Sequence, residues 1–163
     1  MGSGVAKNLI KAGHDVYAWD TNKAVRKFFI NKATIVEPHD MAGICAMIIF
    51  VVPGSTAIDA MLKGKNSLLK APREGLVLYD FTTSEPAYTK KLARRAGRKG
   101  VAYLDAGMTR GANAAVNGTL SLMIGGDERV LKRTAKWLEP LASKLIYLGE
   151  SGSGHTMKVI HNM

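Results

Sequence analysis

Several residue types are scarce in this chain of 163 residues, and each scarcity excludes a class of protein. The one cysteine, Cys45, rules out an internal disulfide framework and a cysteine-rich zinc site. The four histidines show no metal-ligand spacing, so we predict no metal site. The longest apolar run, residues 46–53, has the length of a strand and falls far short of the ~18–20 residues that span a bilayer. No secretory or transit signal is visible, and we expect a soluble, cytoplasmic domain that does not contact a membrane.

Acidic residues are also scarce relative to basic ones. The chain has 13 Asp and Glu against 23 Lys and Arg, which gives a formal net charge of +10 at pH 7. A charge of this size suits a nucleic acid, a membrane surface or an anionic small molecule. Most basic residues are scattered, but residues 90–99 form a continuous basic stripe if the segment is helical. This stripe is either a solvated helix face or a surface for nucleic acid or a partner protein, and it consists of Lys90, Lys91, Arg94, Arg95, Arg98 and Lys99.

Two kinds of apolar periodicity alternate along the chain, one typical of strands and the other of helices. Hydrophobic residues make up 47% and charged residues 22%, as in a single globular domain. The predicted strands are Asp15–Trp19, Ala33–Val36, Ala46–Val52, Gly75–Phe81, Gly100–Ala106, Leu120–Ile124 and Leu145–Leu148. The predicted helices are Ser3–Ala12, Asn22–Asn31, Thr56–Leu69, Glu85–Arg98, Glu128–Ala142 and Gly152 to the end, with Ser84 and Asp127 as candidate N-caps.

The order of these segments predicts an α/β fold. Strands that alternate with helices of this length form crossover units, which build a mostly parallel sheet with helices on both faces. The runs Met47–Val52 and Leu76–Leu78 are apolar at every position, as strands buried on both faces must be. We therefore predict a doubly wound, Rossmann-like domain over residues 1–163. Such a sheet usually opens with a strand, whereas this chain enters a helix at once, so we expect the first strand to be missing.

The first predicted helix begins with a pair of glycines. Gly2 and Gly4 open the helix, and Asp20 follows a strand at about the ~20-residue spacing at which an acidic residue meets the ribose of a dinucleotide. Glycine pairs at helix starts are common, and the same pair also permits close packing of the helix against a strand. These residues alone leave both interpretations open.

Five sequence blocks, in order, resemble the β-hydroxyacid dehydrogenase family, of which 3-hydroxyisobutyrate dehydrogenase is typical. Residues 1–16 are similar to the segment after the family's first two glycines, and Val52-Pro53 is similar to its Leu-Pro after the fourth strand. Residues 80–86 look like its Asp-x-Ser-Thr-x-x-Pro block. Residues 105–120 resemble its substrate block, and residues 149–162 resemble its catalytic helix. The resemblance covers nearly the whole chain.

The resemblance implies an NAD-binding domain that is truncated at both ends. Gly2 falls on the third glycine of the family's dinucleotide fingerprint, so the first strand and the first two glycines lie outside the chain. In the family, the last helix of this domain continues into an all-helical domain that closes the substrate cleft and usually makes the dimer. We therefore expect the helical domain to be absent here, and the full-length protein to be a homo-oligomer.

The catalytic roles that the resemblance implies fall on Lys158 and Asn162. Hydride transfer between a hydroxyl carbon and nicotinamide needs a pocket that holds the two reacting carbons and a group that handles the hydroxyl proton. Lysine suits the second task because burial and nearby positive charge make its ammonium group more acidic. Lys158 and Asn162 are four residues apart and share a helix face. One can therefore exchange the proton while the other orients the substrate oxygen.

Three consecutive residues stand where the family has Ser-Gly-Gly, whose side chain and amides hold the substrate carboxylate; they are Thr109, Arg110 and Gly111. Thr109 keeps the hydroxyl. Arg110 departs from the family, and its guanidinium can bind a carboxylate, a sulfonate or a phosphate through two hydrogen bonds, or point to solvent. A similar arginine occurs in the sulfolactaldehyde reductases of the family. The resemblance thus leaves a small 3-hydroxy acid or its semialdehyde, and a sulfonated semialdehyde, as alternative substrates.

The expected cofactor is NAD, with NADP as the alternative. Asp20 favours NAD because a carboxylate repels the 2′-phosphate of NADP. Lys23 and Arg26 are close enough in sequence to contact that phosphate instead. The other residues that the resemblance places along the cofactor are Gly2, Val52, Pro53 and Thr83.

Two other functions are compatible with the same patterns. One is a noncatalytic module that binds a nucleotide or a nucleic acid through the basic stripe, as in chromatin-associated relatives that have lost the lysine. The other is an imine reductase, whose chains look similar but typically replace that lysine. Lys158 argues against both. We therefore predict an NAD(P)-dependent oxidoreductase whose partner is a small hydroxy acid or semialdehyde in preference to a nucleic acid.

Overall fold

The computed structural model describes all 163 residues, in which helices and strands alternate along most of the chain. The helices are α1 Gly2–Lys11, α2 Lys23–Phe29, α3 Pro38–Ile44, α4 Ser55–Met61, α5 Pro86–Gly97, α6 Gly111–Asn117, α7 Glu128–Leu138 and α8 Ser153–His161. The strands are β1 Tyr17–Ala18, β2 Thr34–Ile35, β3 Met47–Phe50, β4 Val77–Asp80, β5 Ala102–Thr109, β6 Leu120–Gly125 and β7 Ala142–Tyr147. None of these helices has the length and apolar character needed to cross a membrane.

The strands form a mostly parallel arrangement, which confirms the predicted fold class. Five of them lie in the order β3-β4-β5-β6-β7, and only the β5–β6 pair is antiparallel. β1 and β2 form a separate two-stranded parallel sheet, with Tyr17 opposite Thr34. Because β3, β4 and β5 run parallel, their carboxyl ends lie at one edge of the larger sheet. Open α/β sheets bind their ligands at that edge.

The core consists of two apolar clusters that cover the two faces of the larger sheet. Val77 and Tyr79 belong to one cluster, whereas Leu76 and Leu78 belong to the other. Successive residues of a strand point to opposite faces, so a strand that is covered on both sides must be apolar throughout. Burying a Leu or Val side chain in this way contributes about 1.5–3 kcal/mol relative to leaving it exposed.

The N-cap prediction is confirmed at Asp127 and is wrong at Ser84. The Asp127 side chain accepts the N–H of Arg129 at 2.8 Å and so begins α7. Helix α5 begins after Glu85, which makes no side-chain cap. The Ser84 hydroxyl instead lies 2.7 Å from the hydroxyl of Thr82. Ser84 is therefore part of a buried polar network at the end of β4.

Two short helices, α3 and α6, are not predicted by the apolar periodicity of the sequence. The sequence Glu37-Pro38 at the start of α3 is typical of a turn, although proline is also at home in a first helical turn. Helix α6 starts at two consecutive residues with left-handed backbone, Arg110 (φ 77°) and Gly111 (φ 74°). Each helix has seven residues, which is too short for a 3.6-residue period to be distinctive.

Two helices end earlier than their sequences predict. The predictions that overrun are Thr56–Leu69 and Glu128–Ala142. After α4, Gly64 adopts a φ of 76° and turns the chain, and the N–H of Leu68 donates back to the carbonyl of Met61 at 2.9 Å. After α7, Pro140 stops the helix and Ala142 begins β7.

Candidate functional site

A buried carboxylate holds helix α8 against β5 and β6. Asp105 lies in the middle of β5 and is fully buried. Its Oδ1 accepts the N–H of Gly152 at 2.7 Å, and its Oδ2 accepts the N–H of His155 at 2.9 Å. These N–H groups belong to the start of α8, where a helix has no acceptors of its own. Asp105 therefore caps α8 from a different element of the fold.

Two glycines let the backbone of α8 approach the sheet. A Cβ on Gly154 would overlap the carbonyl oxygen of Met123 in β6. A Cβ on Gly107 in β5 would lie 2.6 Å from the Cβ of Lys158. Only glycine permits contacts this close. The stem of Lys158 consequently lies directly over β5, close to the carboxyl end of that strand.

The two residues predicted to be catalytic share one face of α8. The Nζ of Lys158 donates to the Oδ1 of Asn162 at 2.8 Å. Lys158 is half-buried and Asn162 is exposed. Because Oδ1 is the acceptor in this contact, the amide nitrogen of Asn162 keeps both of its hydrogens for other partners. The ammonium group of Lys158 likewise keeps two further donors.

A buried polar network centred on Asp80 lies at the end of β4. The Tyr103 hydroxyl donates to its Oδ2 at 2.6 Å, and the N–H of Thr82 donates to its Oδ1 at 2.9 Å. Burial, together with the negative charge of Asp80, raises the pKa of Tyr103, so this hydroxyl stays a donor. The network fixes the loop after β4, in which Thr83 is exposed at the carboxyl edge.

His155 is a buried member of the site that the sequence analysis missed. Its Nδ1 lies 2.7 Å from the Thr89 hydroxyl and its Nε2 lies 3.2 Å from the carbonyl oxygen of Asp80. The Nε2 hydrogen can be donated to this carbonyl, while Nδ1 pairs with the hydroxyl. The imidazole thereby ties α8 to α5 and β4. No local pattern reveals this, since the two partners are 66 and 75 residues away along the chain.

The residues predicted to hold the substrate lie together at the carboxyl end of β5; they are Thr109, Arg110 and Gly111. Thr109 is buried, and its hydroxyl donates to the backbone of β6. Arg110 has left-handed backbone, which is uncommon for a residue with a side chain. Its Nη1 donates to the carbonyl of Thr119 at 3.2 Å and to the hydroxyl of Ser143 at 3.3 Å. The exposed guanidinium thus lies beside the first residues of β6 and β7.

Three of the residues predicted to bind the cofactor are brought to the same edge of the fold; they are Gly2, Val52 and Pro53. Helix α1 begins at Gly2, and a Cβ on Gly2 would lie 3.5 Å from the Cβ of Val51. Residues 51–53 follow the carboxyl end of β3 directly. The start of α1 and the loop after β3 are therefore neighbours, and Pro53 in that loop is exposed.

Gly4 has a different role from Gly2, because it packs α1 against α6. A Cβ on Gly4 would lie 2.7 Å from the carbonyl oxygen of Ala115. The same carbonyl accepts a hydrogen bond from the Nδ2 of Asn8 at 2.8 Å. One glycine of the pair thus serves close packing, as the sequence analysis allowed. The element that it packs against is helix α6, whereas a strand was expected.

Asp20 lies in the loop that follows β1, a strand of the smaller sheet. Its Oδ1 accepts the N–H of Asn22 at 2.8 Å, which leaves the other carboxylate oxygen exposed. Arg26 lies over the ring of Trp19, 4.4 Å from the ring centroid, and donates to the carbonyl of Asp20. A carboxylate that suits the ribose hydroxyls of NAD and a cation that suits the 2′-phosphate of NADP therefore lie side by side.

These residues fit a dinucleotide. No side chain caps α1, so the N–H groups of Gly2 and Ser3 are free to bind phosphate oxygens. The free oxygen of Asp20 can accept hydrogen bonds from ribose hydroxyls. Thr83 is exposed after β4, and β4 lies beside β5, the strand against which α8 packs. The fold and the site together define an α/β dinucleotide-binding domain.

Comparison with known proteins gives the family. Residues 1–149 match the family model described as the NAD binding domain of 6-phosphogluconate dehydrogenase. The mitochondrial 3-hydroxyisobutyrate dehydrogenase of Rattus norvegicus is 33% identical, over 100% of this chain and 49% of its own. The 2-hydroxy-3-oxopropionate reductase of Escherichia coli K12 is 33% identical, over 100% of this chain and 56% of its own. The chain belongs to the β-hydroxyacid dehydrogenase family.

A solved structure agrees with this assignment. The chain superposes on 3-hydroxyisobutyrate dehydrogenase of Mycobacterium tuberculosis with a TM-score of 0.92 at 27% identity, over 99% of this chain and 55% of that chain. That structure is described as a complex with L-serine. The chain thus spans about half the length of the curated relatives and of the solved structure that it matches.

Proposed function

We propose that this chain is the NAD-binding part of an oxidoreductase that transfers a hydride between NAD(P) and a small 3-hydroxy acid or its semialdehyde. The observation that carries the proposal is the position of Lys158, whose stem lies over Gly107 near the carboxyl end of β5. An amine at this edge of a wound sheet can reach a substrate that meets a bound dinucleotide. The names of the relatives, which specify 3-hydroxyisobutyrate and 2-hydroxy-3-oxopropionate, support the substrate class. L-serine, bound to the mycobacterial relative, is itself a 3-hydroxy acid.

The cofactor would lie along the carboxyl edge, where its nicotinamide ring supplies the hydride acceptor or donor. We assign the adenosine ribose to the free carboxylate oxygen of Asp20 and the pyrophosphate to the N–H groups at Gly2. Val52 and Pro53 would line the path between them, and Thr83 would donate a hydrogen bond near the nicotinamide. We favour NAD because of Asp20; Arg26 beside it makes NADP the alternative.

The proton would be handled by Lys158. In the direction of oxidation, its Nζ takes the proton of the substrate hydroxyl as the hydride leaves the adjacent carbon, and in reduction it returns that proton. Asn162 contacts the same Nζ through Oδ1, so its N–H groups are free to hold the substrate oxygen. Asp105 and His155 do not touch the reacting atoms; they position α8 and with it the lysine.

The acid group of the substrate would be held at the carboxyl end of β5. We assign this task to Thr109, Arg110 and Gly111. If the guanidinium of Arg110 leaves Thr119 and Ser143, it can form two hydrogen bonds to a carboxylate or a sulfonate. A sulfolactaldehyde-type semialdehyde is therefore the second candidate substrate, and the exposure of this guanidinium is the observation that favours it.

We also propose that the functional protein is longer than this chain and homo-oligomeric. Helix α8 exposes apolar side chains beside Lys158, with Val159 40% and Ile160 56% exposed. Apolar side chains in such a position suit contact with a further helical domain or with a second subunit. The greater length of the relatives supports the same arrangement.

Substitution of the lysine tests the proposed activity in the full-length protein. Lys158→Ala should lower the turnover of a 3-hydroxy acid such as 3-hydroxyisobutyrate by about 100-fold or more, because general acid–base catalysis supplies that much. The dissociation constant of NAD, measured by calorimetry, should stay unchanged. Lys132→Ala, which removes an exposed lysine paired with Glu128 on α7, is the control and should keep full turnover. Unchanged turnover in Lys158→Ala would disprove the role of this residue.

A further inference from the structure

A cleft lies at the amino ends of the parallel strands, on the side of the larger sheet away from Lys158. Helices α4 and α5 both start at the carboxyl edge, so both end at the amino edge. The cleft lies between these ends and has a volume of about 440 Å³. Ser67 and Gly64 contribute to its wall, and the rest of its polar lining is basic. The basic residues are Lys63, Lys70, Arg95, Arg98 and Lys99.

One buried carboxylate organises part of this cleft. Asp59 of α4 accepts hydrogen bonds from Lys63 and from Arg95, so that it joins α4 to α5. Burial alone would raise the pKa of Asp59, but hydrogen bonds from Lys63, Arg95 and Tyr88, together with the positive charge of Arg95, outweigh it and lower the pKa to about 2. Asp59 is thus charged at neutral pH, and its single negative charge balances only part of the two positive charges of Lys63 and Arg95.

The remaining cations have no carboxylate partner. Lys70, Arg98 and Lys99 form no ion pair within the protein, and all three are exposed. Cations in the last turn of a helix interact well with its carbonyl groups, which accounts for Arg98 and Lys99 at the end of α5. It does not account for Lys70, which reaches the same cleft from another segment. A concave wall of one charge sign concentrates anions.

We propose that this cleft binds the phosphate chain of a small polyphosphate, at a site separate from the dinucleotide edge. Arginine and lysine are the side chains that bind phosphate oxygens, arginine through two hydrogen bonds and lysine as a point charge. The Ser67 hydroxyl adds a donor, because its oxygen accepts the N–H of Leu69 at 3.0 Å and its hydrogen remains free. The ligand has several negative charges close together, as in inorganic tripolyphosphate or a nucleoside triphosphate.

A nucleic acid fits this surface less well. The basic stripe of α5 is divided in the structure, because Arg95, Arg98 and Lys99 line the cleft whereas Lys90 packs against Gly152 on the side of α8. Lys91 lies over the ring of Tyr88. A duplex presents a convex row of phosphates, whereas these cations converge on a concave space. The observations therefore favour a small ligand.

Calorimetric titration with inorganic tripolyphosphate tests the site, at about 0.15 M salt and with NAD at saturation to block the dinucleotide edge. We expect one ligand per chain. The double variant Arg98→Gln with Lys99→Gln should bind at least about tenfold more weakly, since it removes two phosphate contacts. Lys70→Gln, on the other side of the cleft, should also weaken binding. The matched control is Arg133→Gln with Lys136→Gln, exposed on α7, which should change affinity by less than about twofold.

Titration with ATP identifies the source of the phosphate chain. Equal affinity for ATP and tripolyphosphate would mean that only the phosphates are bound, and tighter binding of ATP would mean that the ligand is a nucleotide. Absence of binding, or equal loss in the cleft and control variants, would overturn the proposal. A short DNA duplex that displaces tripolyphosphate, with a steep dependence on salt, would overturn it in favour of a nucleic-acid surface.

Discussion

The carboxylate of Asp105 accepts the N–H of His155 at 2.9 Å, and this contact sets the position of Lys158 one helical turn further on. The same carboxylate accepts the N–H of Gly152, so both of its oxygens serve α8. Because Asp105 is fully buried, no solvent competes for these hydrogen bonds. The orientation of the proposed acid–base residue thus depends on a side chain that does not touch the substrate.

Asp105→Asn should loosen α8. Asparagine keeps the shape but replaces one acceptor with an NH₂ group, so one of the two buried N–H groups loses its partner. We expect the free energy of unfolding to fall by roughly 1–3 kcal/mol, measured by urea denaturation. Asp127→Asn, at the exposed cap of α7, is the control and should be nearly neutral because asparagine is as good a cap. Equal effects of the two substitutions would contradict the special role of Asp105.

Gly107→Ala should displace Lys158 without removing it. The added methyl group would lie 2.6 Å from the Cβ of Lys158, so α8 and β5 would have to move apart. We expect a loss of stability of about 1–3 kcal/mol and a fall in turnover of the full-length protein, with NAD affinity retained. Gly97→Ala in α5 has open space around it and should instead stabilise the protein by about 0.5–1 kcal/mol. A Gly107→Ala variant with normal stability and turnover would argue against the close contact.

Two substitutions at Arg110 separate the role of its guanidinium from that of its backbone. Arg110→Gly and Arg110→Ala both remove the charge, but only glycine adopts a φ of 77° without strain. The glycine variant should therefore be the more stable of the two by about 1 kcal/mol in thermal unfolding. If the guanidinium binds the acid group of the substrate, both variants should raise the KM for that substrate by the same factor. Unchanged KM values for carboxylate and sulfonate substrates would exclude this contact.

Asp59→Asn should make stability less dependent on acid pH. The pKa of Asp59 is lowered to about 2 in the folded protein, below its value of about 4 in the unfolded chain. Its contribution, roughly 2 kcal/mol, is therefore complete above about pH 5 and is lost as the pH falls towards 2. The difference in unfolding free energy between the wild type and Asp59→Asn should shrink over that range, as measured by denaturation at several pH values. A difference that is independent of pH would mean that packing, and not charge, is lost.

The parallel strands and the pairing of Lys158 with Asn162 could be predicted because both are local patterns. Leu76–Leu78 is apolar at every position, and a four-residue spacing places two side chains on one helix face. The position of this face of α8 against the sheet could not be predicted. It depends on Asp105, which binds N–H groups 47 and 50 residues away, and on Gly107, which looks like any other glycine in the sequence.

The network at the end of β4 shows the same limit. The block at residues 80–86 indicates a functional loop, but the sequence suggests that Ser84 caps a helix. In the structure, the hydroxyl of Tyr103, 23 residues away, donates to one oxygen of Asp80, and Thr82 donates to the other. The hydroxyl of Thr82 also contacts that of Ser84, so all four side chains form one buried group. The sequence does not show whether Ser84 binds the backbone of α5 or a neighbouring side chain, because the choice depends on distances that only the fold creates.

Asp20 follows a strand of the smaller sheet, whereas Lys158 packs on β5 of the larger sheet, and the two sheets share no hydrogen-bonded strand pair. The two sheets otherwise meet through the packing of Tyr17, Trp19 and Val36 on the core of the larger sheet. A molecule long enough to contact Asp20 and Lys158 would therefore add a second connection between them. If binding orders β1 and β2, their amide hydrogens should exchange more slowly with deuterated water when the molecule is bound. The amide hydrogens of β4, which is already buried on both faces, should change little. The affinity for such a molecule and the rigidity of the smaller sheet are thus two measures of the same coupling.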